Sequence, residues 1–197
     1  MTRFIFVRHA ESNTENHDDF SRELSEKGMR DTRMVTDYLK DIKVDAVVSS
    51  PYRRAIDTVR AFAEEKGLEI EMIDGFRERK VGNAWINDFS SFTQKQWNDF
   101  SYKLPDGECL KEVQERNISE LMNLLSRFKG KTIVVGSHGT AMSTIMNFFN
   151  NGFDYECFKK IKDKMPWIVE IQFDDITKKC TIYQIEQENI CAKNEYL

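Results

Sequence analysis

The apolar positions of this chain fall into short blocks separated by amphipathic stretches. Phe4-Ile5-Phe6-Val7 is a compact run, too short for a helix and rich in β-formers, and predicts a buried strand. In SEKGMRDTRMVTDYLKDI, Val35, Leu39 and Ile42 share a helical face and Ser25 is a natural N-cap. VDAVVSS predicts a second strand. PYRRAIDTVRAFAEEKG predicts a helix, with Pro51 in its first turn and Gly67 at its end. LEIEMI predicts a third strand. Between residues 80 and 107, Trp85, Phe89, Phe92, Trp97, Phe100 and Tyr102 stand among polar residues, which predicts irregular structure and a short helix. Glu108 to Phe128 has the period of a long helix. KTIVVGS predicts a fourth strand and GTAMSTIMNFFN another helix. WIVEIQFD and KKCTIYQIE alternate like a closing pair of strands, with DITK as the turn.

No repeat and no linker interrupts this alternation. It predicts one domain over residues 1–197, of α/β class: a three-layer α/β/α sandwich with a largely parallel central sheet. Ligands of such sheets collect at the carboxyl ends of the strands. Charged groups stand at those ends here. Arg8-His9 follows the first strand, Arg53 and Arg54 follow the second, Glu78 lies beyond the third, and His138 follows the fourth. If those strands run parallel, all of these groups share one edge.

Composition narrows the chemistry. Hydrophobic residues make up 40% and charged residues 31% of 197 positions, an ordinary globular balance, and the net charge is −4. That charge argues against a general nucleic-acid or anionic-membrane binder. No apolar run approaches the length of a membrane span, and the charged, soon polar start does not read as a secretory signal. Cys109, Cys157, Cys180 and Cys191 form no Cys-x-x-Cys pair, which predicts reduced thiols in a cytoplasmic protein. Neither Cys nor His falls at zinc spacing, so no metal and no cofactor is expected.

A single histidine or arginine at a strand end is ordinarily just solvated. Two of the three histidines at matching positions weigh against that, whereas His17, in a polar stretch, reads as a surface residue. Arginine forks match phosphate oxygens and do not titrate away. A neutral imidazole nitrogen is a competent nucleophile, and adjacent arginines hold it neutral. A carboxylate can protonate a leaving alkoxide. The set suits phosphoryl transfer to histidine without a metal.

These residues resemble the histidine phosphatase superfamily, the phosphoglycerate-mutase-like proteins. VRHAES is similar to its Arg-His-Gly signature, LSEKG to its Leu-Thr-x-x-Gly helix start, and SSPYRRAIDT to its Ser-x-x-x-x-Arg-Ala-x-x-Thr segment, which aligns Arg54 rather than Arg53. FRERKVGNAW resembles the Glu-x-x-x-Gly segment, PDGECLKEVQER the Gly-Glu-Ser segment with Cys109 in place of Ser, and VVGSHG the second-histidine motif. The resemblance implies a phosphoglycerate-mutase-like fold. It implies His9 as nucleophile, Glu78 as proton donor, and Arg8, Arg54 and His138 around the phosphoryl group, with Ser12 and Asn13 as further substrate contacts.

Ala10 replaces the commoner Gly after the histidine. Glu15 stands where the family often has Asn, with Asn13 or Asn16 as substitutes. Residues 80–107 are expected to form a compact lid that selects the substrate. Between Gly82 and Lys103 the segment carries one strong cation, Lys95, which favours a phosphomonoesterase acting on a small phosphorylated substrate. A mutase that returns the phosphoryl group to a bound molecule shares the same set, and a catalytically weak phosphate-binding module would need Arg8, Arg54 and His138 but not Glu78.

Overall fold

A computed structural model describes the chain apart from residues 83–85, 175–176, 178, 186–193 and 197. Strand β1 (Thr2–Arg8) explains the layering. Phe4 and Phe6 enter one buried cluster, Ile5 and Val7 the other. A strand apolar on both faces needs cover on both sides of its sheet. Helices α1 (Glu26–Leu39) and α2 (Arg53–Lys66) supply it on one face through Val35, Leu39, Val59 and Phe62. On the other face, α4 (Leu110–Arg127) and α5 (Gly139–Phe149) contribute Leu121, Leu124, Met142 and Ile145. The short helices α3 (Phe89–Asn98) and α6 (Tyr155–Ile161) pack together where Trp97 stacks on Phe158, ring centroids 5.4 Å apart. The three-layer sandwich is as expected.

The remaining strands are β2 (Ala46–Ser49), β3 (Ile70–Met72), β4 (Thr132–Ser137), β5 (Trp167–Phe173), β6 (Cys180–Ile185) and β7 (Asn194–Tyr196). They form one sheet of order β3-β2-β4-β1-β5-β6-β7. The first four in that order run parallel, whereas β5, β6 and β7 are antiparallel to their neighbours. The parallel half therefore ends on a single edge, and every charged group singled out in the sequence follows one of its strands. No helix among the described residues is long and apolar enough to cross a membrane.

Local differences have physical causes. Pro51 lies before α2, not in its first turn. The helix begins at Arg53, where the amide donates to Phe20 O at 3.0 Å, and Tyr52 N is taken by Ser50 Oγ at 3.2 Å. The long helix opens at Leu110, with Cys109 as its cap: Glu112 Oε2 accepts from Cys109 N at 2.9 Å. Helix α1 stops at Leu39, and Ile42 packs beyond it. Neither α6 nor β7 was expected. The DITK turn, except for Thr177, lies outside the described residues, as do Trp85 and Cys191.

The loop after β1 is pinned to the start of α1. Ser25 caps the helix by accepting from Gly28 N at 3.0 Å and also donates its hydroxyl to Glu11 Oε1 at 2.8 Å. Ser25 N donates to Glu11 O at 2.9 Å. Gly28 permits that approach: a Cβ there would sit 2.0 Å from Glu11 O. Helix propensity alone says Gly28→Ala should stabilise, by about 1 kcal/mol. A clash with backbone outweighs it, because overpacking costs about 1–3 kcal/mol. We predict a lowered melting temperature for Gly28→Ala, by roughly 2–8 °C by the size scaling of such domains. Thermal unfolding followed by circular dichroism checks this, and an unchanged or raised midpoint would contradict the packing.

Candidate active site

His9 is fixed before the loop departs. Its amide donates to Ser137 O at 3.0 Å, extending the β1–β4 ladder one residue past the strand. The next amide, Ala10 N, donates to Thr58 Oγ1 at 3.0 Å, and the Thr58 hydroxyl donates to Arg54 O at 2.7 Å. The backbone around His9 is thus tied to β4 on one side and α2 on the other. The ring is fixed as well: His9 Nδ1 lies 2.6 Å from Ala10 O. A carbonyl can only accept, so Nδ1 carries the hydrogen and Nε2 keeps its lone pair.

A cavity of about 780 Å³ opens at this edge, with Arg8, His9, Ser12, Arg54 and Glu78 in its wall. Arg8 Nη1 donates to Ile161 O at 2.8 Å and Lys164 O at 3.1 Å, so the end of α6 aims it. Gly139 leaves it space, since a Cβ there would stand 3.0 Å from the Arg8 guanidinium. Arg54 is buried at 3% exposure, donates to Asp19 O at 2.6 Å, and lies over the Tyr52 ring, 5.0 Å from its centroid. His138 is fully buried; its ring meets that of His9 at 5.3 Å and 62°, and its Nε2 is 2.7 Å from Ser50 Oγ. Glu78 sits at the start of α5, with Oε2 accepting from Thr140 N at 3.0 Å and Oε1 from Arg79 N at 2.9 Å.

Electrostatics follow from this crowding. Burial, then Arg54 and Arg8, holds the His9 imidazole well below its ordinary value of 6.5. Burial, then Arg54 and His9, does the same to His138. Burial pulls Arg8 down to about 10, with Glu78 and Asp163 opposing, so it stays charged at neutral pH. Two buried atoms here, Arg8 Nε and His138 Nδ1, have no hydrogen-bond partner among the described residues. Buried polar groups are rarely left so.

The structure therefore brings Arg8, His9, Ser12, Arg54, Glu78 and His138 together. It puts Arg53 on the surface beside Asp57, at 3.3 Å. Asn13 and Asn16 are not in the cavity wall: both side-chain amides donate to Glu23, at 2.8 and 2.9 Å, and their carbonyls accept from Glu15 N and Asp18 N within the loop. Several wall residues had no sequence signal. Tyr155, Phe158 and Lys159 come from α6, whose seven residues are too few to show a period, and Arg22 and Arg79 stand among other charged residues with no motif to single them out.

Known proteins resemble this chain in sequence and in fold. The family model for the histidine phosphatase superfamily (branch 1) matches residues 4–185. A protein of Bacillus subtilis (strain 168) named uncharacterized phosphatase PhoE is 28% identical over 156 residues, 77% of this chain and 79% of that protein. Phosphoserine phosphatase 1 of Hydrogenobacter thermophilus is 28% identical over 159 residues, 72% of this chain and 73% of its own. In fold, the chain is similar to a mutant phosphoserine phosphatase from Entamoeba histolytica in complex with phosphoserine. That match has a TM-score of 0.78 at 20% identity, over 98% of this chain and 100% of that one.

The buried histidines make stability depend on pH. Unfolded imidazoles titrate near 6.5, while the folded pair titrates well below. Below 6.5 the unfolded chain binds more protons, so this contribution is fully present above that value and is lost as pH falls toward the folded values. Each histidine adds a slope approaching about 1.4 kcal/mol per pH unit. Urea midpoints measured between about pH 5.5 and 7.5 should therefore drop on acidification, with a shallower drop in His138→Asn. A profile equally steep in the variant would contradict the assignment.

Proposed function

Because this chain belongs to the histidine phosphatase superfamily (branch 1), we propose that it is a phosphomonoesterase working through a phosphohistidine on His9, without a metal. Membership and the phosphatase-named relatives support phosphatase activity. The mechanistic detail rests on one observation. The Ala10 carbonyl occupies the His9 Nδ1 hydrogen, leaving Nε2 unprotonated beside two guanidinium groups.

In the first step, His9 Nε2 attacks phosphorus in line and the P–O ester bond breaks. Arg8, Arg54 and His138 surround the transferred group and stabilise its equatorial oxygens, where charge is concentrated. The unpartnered Arg8 Nε and His138 Nδ1 are suited to that anion. Glu78 gives its proton to the departing alkoxide, which leaves as the alcohol. In the second step, water attacks the phosphohistidine, Glu78 takes a proton back, and inorganic phosphate and the starting imidazole are regenerated.

The segment from residue 80 to 107 would act as the lid. Val81, Phe89, Ser90 and Thr93 from it reach the cavity wall. A cytoplasmic setting suits Cys109, Cys157 and Cys180, all free thiols.

The role of Glu78 gives the test. A p-nitrophenolate leaves with little help, whereas an alkyl alkoxide needs its proton. Glu78→Gln is therefore expected to damage alkyl phosphate hydrolysis far more than that of p-nitrophenyl phosphate, by up to ~10²–10⁴-fold, the usual worth of a general acid. The kcat/KM values of the two substrates, with phosphoenzyme formation limiting, check it. Equal losses on both would remove Glu78 from the proton path.

A further inference from the structure

Six cations line the cavity, and four have a carboxylate within ion-pair distance. Arg22 and Arg54 reach Asp19 at 3.3 and 3.6 Å, Lys159 reaches Glu156 at 3.2 Å, and Lys162 reaches Asp163 at 2.8 Å. Arg8 and Arg79 have none among the described residues. The proposed phosphoryl group accounts for Arg8. Arg79 is left over.

Arg79 is also the less expected of the two, because it is buried at 3% exposure. A guanidinium taken out of water is costly unless an anion meets it. Its side-chain partners are neutral: Nη1 donates to Gln96 Oε1, and Nη2 to Thr93 Oγ1 at 3.2 Å. Phe89 and Phe92 flank it, their centroids 5.2 and 5.3 Å from its central carbon. Glu78 precedes it in the chain and acts on it through space. The Glu78 oxygens, however, accept from Thr140 N and from the Arg79 backbone amide, not from the guanidinium.

The arginine is held rigidly. Gln96 donates to Tyr102 O at 3.1 Å and Glu108 O at 3.0 Å, so the oxygen it offers to Arg79 has little freedom. Two of the five guanidinium N–H groups are used in this way, and the other three have no partner among the described residues. A fixed, desolvated fork on a cavity wall is preorganised for an oxyanion.

We propose that Arg79 binds a second anionic group on the substrate, so that the substrates are phosphomonoesters whose alcohol also carries a carboxylate or a further phosphate. This rests on the phosphatase reading of the site. Carboxylate and phosphate present the same oxyanion chemistry to Arg79, and the choice of substrates separates them.

The test compares kcat/KM for propyl phosphate, 3-(phosphonooxy)propanoate and propane-1,3-diyl bisphosphate. Wild-type protein should prefer at least one of the two charged esters by about 10–100-fold, the range of a charge-assisted hydrogen bond. The preferred ester identifies the anion. In Arg79→Met that ratio should fall toward one, and Arg79→Lys should retain part of it. Should Arg79→Met fail to fold, the wild-type ratio and its reduction in Arg79→Lys carry the test. No preference in wild type would overturn the proposal and leave the phosphatase reading intact. So would an equal loss on all three esters in Arg79→Met, the mark of a residue that merely packs or positions Glu78. Absence of phosphate release from every ester by wild type would overturn the phosphatase reading, and this proposal with it.

Discussion

An imidazole buried near guanidinium groups resists a second proton on its ring. This constraint governs the site. Burial is the larger cause for His9, and its charged neighbours Arg54 and Arg8 add to it. Left to itself, a neutral imidazole could carry its one hydrogen on either nitrogen. The Ala10 carbonyl decides, at 2.6 Å from Nδ1. Burial and charge fix the protonation state, a backbone acceptor fixes the tautomer, and together they leave a lone pair on Nε2.

The fold supplies the repulsion that this arrangement requires. Gathering like charges is costly, so each must be held by groups that do not neutralise the site. Arg8 is held by main-chain carbonyls of Ile161 and Lys164 rather than by a carboxylate. Arg54 is held by Asp19 O and the Tyr52 ring, with the Asp19 carboxylate at the longer distance of 3.6 Å. Beyond the cavity, Arg116 clamps the segment that carries Glu78. It donates to Gly75 O, Arg77 O and Glu78 O at 2.7, 2.8 and 3.2 Å, and pairs with Glu108 at 2.9 Å. The acid thus enters the site on a braced backbone, and its carboxylate rests on the first turn of α5, where amides point outward.

Much of this was legible in the sequence because it follows from strand order and short-range pattern. The unbroken apolar run Phe4-Ile5-Phe6-Val7 already requires two covered faces, and parallel strands bring His9, Arg54 and His138 to one edge. The choice of Arg54 over Arg53 came from the resemblance of SSPYRRAIDT to the family's segment, and the structure buries the former while leaving the latter at the surface. What escaped depends on contacts remote in sequence. Helix α6 is a single short stretch whose importance lies in two backbone carbonyls, one at its last residue and one just beyond it, and carbonyls have no sequence signature. Arg79 sits in a run of charges, RERK, that reads as surface; only the packing of α3 shows it between Phe89 and Phe92. The Asn13 and Asn16 side chains turn to Glu23, a residue whose proximity no local pattern announces.

If charge and tautomer together make His9 Nε2 the nucleophile, a covalent phosphoenzyme must form on that residue during turnover. Mixing wild-type protein with a radiolabelled phosphomonoester and quenching in alkali within milliseconds to seconds reads this directly. The expected result is label that survives alkali, is lost in acid, and is absent from a folded His9→Ala protein that no longer turns over. Turnover in His9→Ala at the wild-type rate would contradict it. So would a wild-type protein that releases phosphate with no alkali-stable label under conditions where phosphoenzyme breakdown limits the rate.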